Sequence, residues 1–474
     1  MDRNLKITAL AVFLLALGLG AATLGRTGIT GRELAVTGQN SGVLSGQKAA
    51  AELSRTAGVF YRFMEPAGRL VTVRPYSYRA GAALCFSLTV LTVFLWTARA
   101  LGILGGLAAS LLLLFLPRAF AAGVQATEFP LVAVSGVASA WLADRRNDRA
   151  EYVLAFLMMG LGLALSPKFL LPVFCITVWL TLSGRLQDRA WLLASGFAGM
   201  LIIPVLLNSA WWSSPFASYR SWLAGELAFA GYGSQVLYFG EAFRASVPWH
   251  YVIVMLVVGM PVSVVTLSIT GKLVSVIPRY FSGPAGFAVT TSTSYILYAT
   301  SGRFPADYGL AFFLPLFAAD SIMSAYTLEW FRQRFWARGV RIPAWVLLIF
   351  VVLPQIAVGA RLYPFLGCHY NPIAGYLPGA QRAGFQVSFD SSPLTDDFLT
   401  RVESQLPPKA KLQAIGANRA VVTAGGRLAG HYAQGTEPNY LLVLNSSTGQ
   451  VRPGKLLLAV ERAGVMLAGF YELP

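Results

Sequence analysis

Long apolar windows dominate this chain and limit what it can fold into. The runs LLLLFL, VIVMLVVGM and WVLLIFVVLP each lie inside a longer stretch that is nearly free of charge. Hydrophobic residues make up 55% of the chain and charged residues only 12%, whereas soluble domains carry about 25% charged residues. About 20 apolar residues are enough for a helix to cross a bilayer. The pattern therefore predicts a mainly α, polytopic bundle of membrane helices.

The predicted spans number about eleven, and several are short for a perpendicular crossing. They lie at residues 6–24, 80–97, 101–116, 127–143, 152–165, 169–183, 190–207, 249–269, 282–300, 308–325 and 343–362. The basic first segment is also typical of a cleaved signal peptide, which is the alternative interpretation of residues 1–22. We interpret it as an uncleaved helix because the chain continues to cross the membrane.

The distribution of arginine and lysine orients these spans. With the N-terminus in the cytoplasm, every inner loop is basic, as the positive-inside rule requires. The inner loops contain Arg99, Arg145, Arg146, Arg149, Arg185, Arg189, Lys272, Arg279, Arg332, Arg334, Arg338 and Arg341. Residues 152–183 are predicted to form two short crossings with Lys168 at the outer face, since one kinked span would violate the charge rule. Eleven crossings leave the C-terminus outside.

Two domains follow from this topology. Residues 1–362 form the predicted membrane domain, with a first outer loop at 25–79 and a second large outer loop at 208–248. Residues 363–474 form a predicted extracytoplasmic α/β domain, in which a capped helix within PLTDDFLTRVESQ precedes β-prone runs. Those runs are RAVVTA, YLLVLN and KLLLAVE.

Composition excludes several classes of function. The net charge of +16 is spread over short loops between spans, where it reads as a topology signal and as contacts to lipid headgroups rather than as a nucleic-acid surface. The three cysteines are dispersed and predict neither a disulfide framework nor a zinc site. No metal-ligand set is recognisable, so we expect no cofactor, although a divalent metal stays open.

Two carboxylates mark the predicted outer face. Glu33 follows the first span inside a loop with eight Lys or Arg residues and three Glu residues, and Glu128 begins the fourth span. Either carboxylate alone is equally well explained as a solvated helix terminus, and Glu128 also suits a helix N-terminus. Together on one face they are candidates for a general base and for a group that orients an acceptor.

Three cations share that predicted face. Lys168 follows a break between two spans, Arg244 lies in YFGEAFRASVPW, and Arg303 lies in SGRFPADYG. Each alone is typical of an interfacial side chain that extends its charge to water. Grouped with carboxylates at a membrane surface, they predict a phosphate site, and a lipid-borne phosphate is more natural than ATP because no Gly-rich nucleotide loop is present.

Four segments resemble the C-type membrane glycosyltransferases of the protein mannosyltransferase and aminoarabinose transferase superfamily. The likeness runs in order over most of the chain. The segments are ATEFPLVAVSGVASAWL, LYFGEAFRASVPWHYVIVMLVVGMPVSVV, GRFPADYGLAFFLPLFA and HYNPIAGYLPGAQRAGF. The resemblance implies transfer of a hexosyl or pentosyl group, with inversion, from a polyprenyl-phosphate sugar to a hydroxyl of a glycan, lipid or protein acceptor. It also implies a plasma (inner) membrane location with an extracytoplasmic active site.

The resemblance assigns roles to particular residues. Glu33 matches the first-loop acid that activates the acceptor hydroxyl, and Glu128 matches a second acid. Arg303, Lys168 and Arg244, in that order, match the cations that hold the donor phosphate. Two departures are visible: Arg32 stands where the family has the first acid of an Asp-Glu pair, and residues 64–68 read MEPAG instead of a Lys-Pro-Pro-Leu motif.

Two other functions fit parts of the sequence. A transporter or flippase of lipid-linked sugars would share the membrane bundle, but transporters carry charges within spans and show internal repeats. The spans here are nearly charge-free and no repeat is visible, which favours the enzyme. A catalytically inactive scaffold of the same fold would account for the missing acid beside Glu33.

Overall fold

The structure is a computed structural model that describes most of the chain. It covers residues 3–24, 26–27, 33, 55–70, 72, 76–145, 149–207, 211–228, 236–243, 247–275, 283–301, 311–340, 342–387, 393–415, 422, 428, 430–431, 437–444 and 454–473.

Helices make up the greater part of the described chain. In order they are α1 (Arg3–Thr23), α2 (Arg55–Arg69), α3 (Arg79–Leu114), α4 (Pro117–Gly123), α5 (Glu128–Asp144), α6 (Arg149–Leu165), α7 (Leu170–Leu182), α8 (Ala190–Leu207), α9 (Pro215–Ala228), α10 (Tyr251–Gly259), α11 (Val262–Ser275), α12 (Gly283–Thr300), α13 (Leu314–Ala337), α14 (Ala344–Leu362), α15 (Tyr376–Arg382) and α16 (Asp396–Gln405).

Helix α3 reverses direction at Gly102. This residue has φ +79° and ψ 174°, a conformation that L side chains rarely adopt and that glycine tolerates. A Cβ on Gly106 would lie 2.6 Å from the Cβ of Ala98 and 2.8 Å from the backbone oxygen of Phe94. Such contacts across eight and twelve residues require two antiparallel segments, because a straight helix rises about 1.5 Å per residue. The chain therefore forms a helical hairpin here.

Ion pairs show which helix ends lie together. Lys168, between α6 and α7, pairs with Glu128 at the start of α5. Arg185, just after α7, pairs with Asp144 at the end of α5. Helices α6 and α7 therefore run in opposite directions beside α5, with Lys168 at one end of the bundle. We call the end with Glu128 the carboxylate end and the end with Asp144 the basic end.

Two pairs of helices are sharply bent. Helices α4 and α5 meet at 106°, and α10 and α11 meet at 119°. Among the described residues, five helices are long and apolar enough to cross a membrane, or seven when each bent pair is taken as one span. The polytopic helical architecture is as predicted from the sequence. The number of crossings, eleven in the sequence analysis, stays a prediction.

The C-terminal part contains a small sheet with its own helix. Strands β3 (Leu412–Ile415), β4 (Tyr440–Leu444), β5 (Lys455–Arg462) and β6 (Val465–Glu472) are ordered β3-β4-β6-β5, with β3 parallel to β4 and the other pairs antiparallel. Helix α16 begins at a capping threonine, because the backbone N–H of Phe398 donates to Oγ1 of Thr395 at 3.2 Å.

Two of the three β-prone runs predicted for this part are strands β4 and β5, and RAVVTA lies largely outside the described residues. Strand β6 was not predicted. Residues 365–387 pack with the membrane helices, whereas a separate core begins at Leu394. The domain boundary at residue 363 stays a prediction.

Helices α6 and α8 pack closely because glycines line their contact. A Cβ on Gly199 would lie 2.0 Å from the backbone oxygen of Phe156, and a Cβ on Gly160 would lie 2.5 Å from the backbone oxygen of Gly199. Small residues allow membrane helices to approach backbone to backbone and to gain dispersion contacts.

The replacement Gly199→Ala is expected to separate α6 from α8 and to destabilise the fold by about 1–3 kcal/mol through overpacking. The measurement is thermal unfolding of the detergent-purified protein. Gly18→Ala is the matched control, since a Cβ on Gly18 meets nothing within 4 Å. Equal melting temperatures for the two variants would contradict this packing.

Candidate functional site

Glu33 and Arg79 form a buried, bidentate ion pair at the carboxylate end. Nε of Arg79 donates to Oε1 of Glu33 at 2.6 Å, and Nη2 donates to Oε2 at 2.7 Å. The side chains are 1% and 2% exposed. Arg79 is the first residue of α3, so the pair joins the first loop to the start of this helix.

Further hydrogen bonds extend this pair into neighbouring elements. Nη1 of Arg79 donates to the backbone oxygen of Leu24 at 3.2 Å and to Oγ1 of Thr27 at 2.8 Å. The backbone N–H of Ala126 donates to Oε1 of Glu33 at 3.0 Å. Both oxygens of the Glu33 carboxylate are therefore engaged, and the pair ties together the residues after α1, the start of α3 and the segment before α5.

The second carboxylate also pairs with a cation. Nζ of Lys168 donates to Oε1 of Glu128 at 2.7 Å, and the two side chains are 8% and 10% exposed. Glu128 is the first residue of α5, where the helix dipole favours negative charge. Nζ of Lys168 also lies 5.4 Å from the ring centroid of Phe129, a distance typical of a cation–π contact.

Residues 126–128 bring the two pairs together. The Ala126 N–H contacts the first pair and Glu128 belongs to the second, while the Thr127 backbone oxygen accepts a hydrogen bond from the hydroxyl of Tyr61. Burial raises the pKa of Tyr61 well above its ordinary value, and nearby Cys85, Glu128 and Glu33 raise it further. Tyr61 is therefore a neutral phenol that donates a hydrogen bond beside two carboxylates.

A second polar contact at the bundle surface involves the residues after α14. Asn371 crosses to the break between α10 and α11, where its Nδ2 donates to the backbone oxygens of Val257 at 2.6 Å and Met260 at 2.8 Å. Nδ1 of His369 donates to the backbone oxygen of Gly259 at 2.9 Å. These side chains satisfy carbonyls that the bend removes from the helical hydrogen-bond ladder.

Arg118, on α4, holds the same segment from the other side. Its Nε and Nη2 donate to the backbone oxygen of His369 at 2.8 and 2.6 Å, and its guanidinium lies 4.6 Å from the ring centroid of Tyr370. The Arg118 side chain is buried. The HYNP residues, quoted above for their family likeness, thus have a structural task at the broken helix pair.

The five predicted site residues fall into two groups. Glu33, Glu128 and Lys168 are described, and contacts through residues 126–128 bring them together. Arg303 and Arg244 lie outside the described residues. The described β-hairpin of the second large loop, β1 (Val236–Tyr238) and β2 (Glu241–Phe243), ends one residue before Arg244.

Sequence analysis missed Arg79, Tyr61 and Arg118 as members of this region. One signal was available for Arg79: it directly precedes a span at the predicted outer face, where the positive-inside rule disfavours an arginine. An arginine in that position needs a partner, and a nearby buried carboxylate is the strongest one. Tyr61 carried no comparable signal, because aromatic residues are common at membrane surfaces.

Comparison with solved structures identifies the fold. The structure of ArnT from Cupriavidus metallidurans bound to undecaprenyl phosphate matches over 99% of this chain and 98% of its own, with a TM-score of 0.55 and 13% sequence identity. The apo structure of the same protein matches over 98% of this chain and 97% of its own, with a TM-score of 0.53 and 14% identity. No family model and no curated protein sequence matches the chain.

These findings define a class of protein. The chain is an integral membrane protein with apolar helices of spanning length, and it has the fold of the C-type membrane glycosyltransferases over nearly its whole length. The family resemblance seen in the sequence motifs is confirmed at the level of the fold.

Removing one partner of the first ion pair should strongly destabilise the protein. Arg79→Gln leaves the Glu33 carboxylate buried without its bidentate guanidinium partner, and breaking a buried pair costs about 3–5 kcal/mol. Thermal unfolding in detergent measures the loss. The double variant Glu33→Gln plus Arg79→Gln should recover part of it, because no uncompensated charge of the pair is left. Additive losses in the double variant would show that the pair is not coupled.

His369 should make stability depend on pH. Burial, together with the charge of Arg118, lowers the pKa of His369 from 6.5 to about 4, against a partly opposing contribution from Gly259. The unfolded chain therefore binds a proton at higher pH than the folded protein, so stability is complete above pH 6.5 and falls as the pH drops towards 4. At pH 5 the loss is about 2 kcal/mol. Melting temperatures of wild type and His369→Gln between pH 7.5 and 4.5 test this, and parallel pH profiles would contradict it.

Proposed function

We propose that this protein is an integral-membrane glycosyltransferase that moves a hexosyl or pentosyl group from a polyprenyl-phosphate donor to an acceptor hydroxyl. The observation that carries the proposal is the pairing of two carboxylates with two cations around residues 126–128, at one end of a bundle with the C-type glycosyltransferase fold. The acceptor would be a glycan, a lipid or a protein, and the site would lie on the extracytoplasmic side of the plasma membrane.

The choice of donor is supported by the structural neighbour and by charge. ArnT from Cupriavidus metallidurans has been crystallised with undecaprenyl phosphate. In this chain the basic loops group at the opposite end of the bundle, so the carboxylate end faces outwards under the positive-inside rule. A lipid-linked phosphate sugar in the outer leaflet would reach that end laterally through the membrane.

The proposed reaction is a single in-line displacement. The acceptor oxygen forms a bond to the anomeric carbon while the bond from that carbon to the phosphate oxygen breaks. The polyprenyl phosphate leaves with the bonding electron pair, and the hydroxyl proton passes to a carboxylate. Attack from the face opposite the leaving group inverts the anomeric centre, and cations beside the phosphate stabilise the charge that develops on it.

Of the two predicted acids, Glu128 is the better candidate for the base. Glu33 is only 1% exposed and binds Arg79 through both oxygens, so protonation of Glu33 would break a buried pair. The Glu128 side chain is 10% exposed and lies beside Lys168. We therefore assign proton removal to Glu128 and assign to Glu33, the first choice from the sequence, the task of holding residues 126–128 in position through the Ala126 N–H.

The donor phosphate would be held by cations. Lys168 is suited to this task because its ammonium has three donors and lies beside the proposed base. Arg303 and Arg244 are proposed as further phosphate ligands on the sequence resemblance alone. The scheme is written without a metal or other cofactor.

The test is sugar transfer in membranes that contain the protein, supplied with labelled polyprenyl-phosphate sugars and a crude acceptor fraction. Glu128→Gln is expected to lower kcat by about 10²–10⁴, the usual contribution of a general base, with KM nearly unchanged. Lys168→Gln should chiefly raise KM for the donor.

Glu33→Gln is the informative comparison, because it changes a carboxylate to an amide at the same end of the bundle. Activity per folded molecule should fall less than in Glu128→Gln, while the melting temperature falls more. The opposite order would return the base to Glu33. No transfer by wild type from any labelled donor would remove the glycosyltransferase proposal.

One observation favours a second candidate, a transporter or flippase of lipid-linked sugars. Asp320 lies buried within α13, where it accepts hydrogen bonds from Ser268 at 2.7 Å and Ser292 at 2.9 Å and pairs with Lys272 at 2.8 Å. Charged groups within membrane helices often mark transport pathways. Movement of a labelled lipid-linked sugar between leaflets of proteoliposomes, without transfer to any acceptor, would select this alternative.

A further inference from the structure

A polar cavity of about 460 Å³ opens at the basic end of the bundle, away from the proposed catalytic residues. Helix α5 separates the two regions: Glu128 is its first residue and Asp144, which lines the cavity, is its last. Seventeen residues at about 1.5 Å each put roughly 25 Å between these two positions. The cavity volume is within the range of about 300–1,000 Å³ that is usual for small-molecule sites.

Four charged residues line this cavity, and their formal charges cancel. They are Arg99, Arg185, Asp144 and Glu329. Asp144 accepts hydrogen bonds from Nε1 of Trp96 and from Nη1 of Arg185, each at 2.8 Å. These bonds hold Asp144 and Arg185 in place at the cavity wall, so the site is built before any ligand arrives.

Both arginines retain donors for a ligand. Arg185 uses Nη1 on Asp144, and a guanidinium has five N–H groups. Arg99 is exposed, and with the residues that the structure describes it forms no hydrogen bond or ion pair. Arginine suits phosphate because its planar group offers paired, parallel N–H donors.

The acids are fixed but still have acceptor capacity. Glu329 binds Nε of Arg332 at 2.7 Å and Nε2 of Gln333 at 2.9 Å, and these partners stand on its own helix, α13. A carboxylate offers about four acceptor positions. Lys272, which lies on α11 one residue after the cavity-lining Gly271, is already neutralised by Asp320. The lining therefore presents two cations and two anions that can each take one more partner.

We propose that this cavity binds a zwitterionic headgroup in which a phosphodiester is joined to a primary ammonium, as in phosphatidylethanolamine. The phosphate lies between Arg99 and Arg185, and the ammonium donates to Glu329 and Asp144. A net anion such as phosphatidylglycerol leaves the carboxylates without a counter-charge. A quaternary ammonium such as that of phosphatidylcholine has no N–H to donate to them.

The position of the cavity agrees with a lipid of the inner leaflet. Loops at this end carry the arginines that the positive-inside rule assigns to the cytoplasmic side, and such residues attract lipid headgroups. Trp330 and Gln333 of α13 complete the wall, with Trp330 typical of the bilayer interface. The proposal is independent of the glycosyltransferase activity, since it concerns residues at the other end of α5.

The test is native mass spectrometry of the full chain, stripped of lipid in detergent and titrated with phosphatidylethanolamine, phosphatidylcholine and phosphatidylglycerol of identical acyl chains. Phosphatidylethanolamine is expected to bind about tenfold more tightly than the other two, the size of one charge-assisted hydrogen bond. Arg99→Gln should lower its affinity about tenfold, and Glu329→Gln should abolish the preference over phosphatidylcholine.

Arg338→Gln is the matched control, because Arg338 is exposed near the end of the same helix but does not line the cavity. Soluble glycerophosphoethanolamine is tested as a competitor: competition assigns binding to the headgroup alone, and lack of competition assigns it to the intact lipid, and both support the site. Equal affinity for all three lipids, or equal binding by Arg99→Gln and Arg338→Gln, would overturn it. Since Arg99 is exposed, a folded Gln variant is expected, and its melting temperature in lipid-free detergent checks this.

Discussion

The buried pair of Glu33 and Arg79 is the interaction on which the carboxylate end depends. Two opposite charges removed from water are stable only when they satisfy each other and their remaining hydrogen-bonding groups. Here the guanidinium also binds the residues after α1, and the carboxylate also accepts the Ala126 N–H. The pair therefore connects three parts of the chain that are remote in sequence, and it positions the segment that presents Glu128 to Lys168.

Other ion pairs repeat this arrangement along the bundle. Glu128 with Lys168 and Asp144 with Arg185 join opposite ends of α5 to opposite ends of α7. Apolar helices in a lipid environment gain little hydrophobic driving force from contact with each other, so close packing and polar contacts decide their register. The glycine contacts between α6 and α8 supply the first, and these ion pairs supply the second.

Much of the candidate site could be predicted from the sequence, but not the role of each member. The loop charges and span positions were sufficient to group Glu33, Glu128 and Lys168 at one membrane surface. They were not sufficient to find Arg79 as the partner of Glu33, because the two residues are 46 positions apart and no local pattern links them. Consequently the sequence favoured Glu33 as the base, whereas its burial and its bidentate partner favour Glu128.

Hydropathy by itself determined that this chain is a polytopic helical membrane protein, because a bilayer leaves few ways to satisfy the backbone and spanning helices need long apolar windows. Loop charges determined which residues share a membrane surface. Tertiary structure decided which carboxylate is enclosed by an arginine, how the HYNP residues cap a broken helix pair, and which charges line the cavity at the basic end. These outcomes depend on contacts between residues far apart in the chain, and such contacts leave no periodic signal in a single sequence.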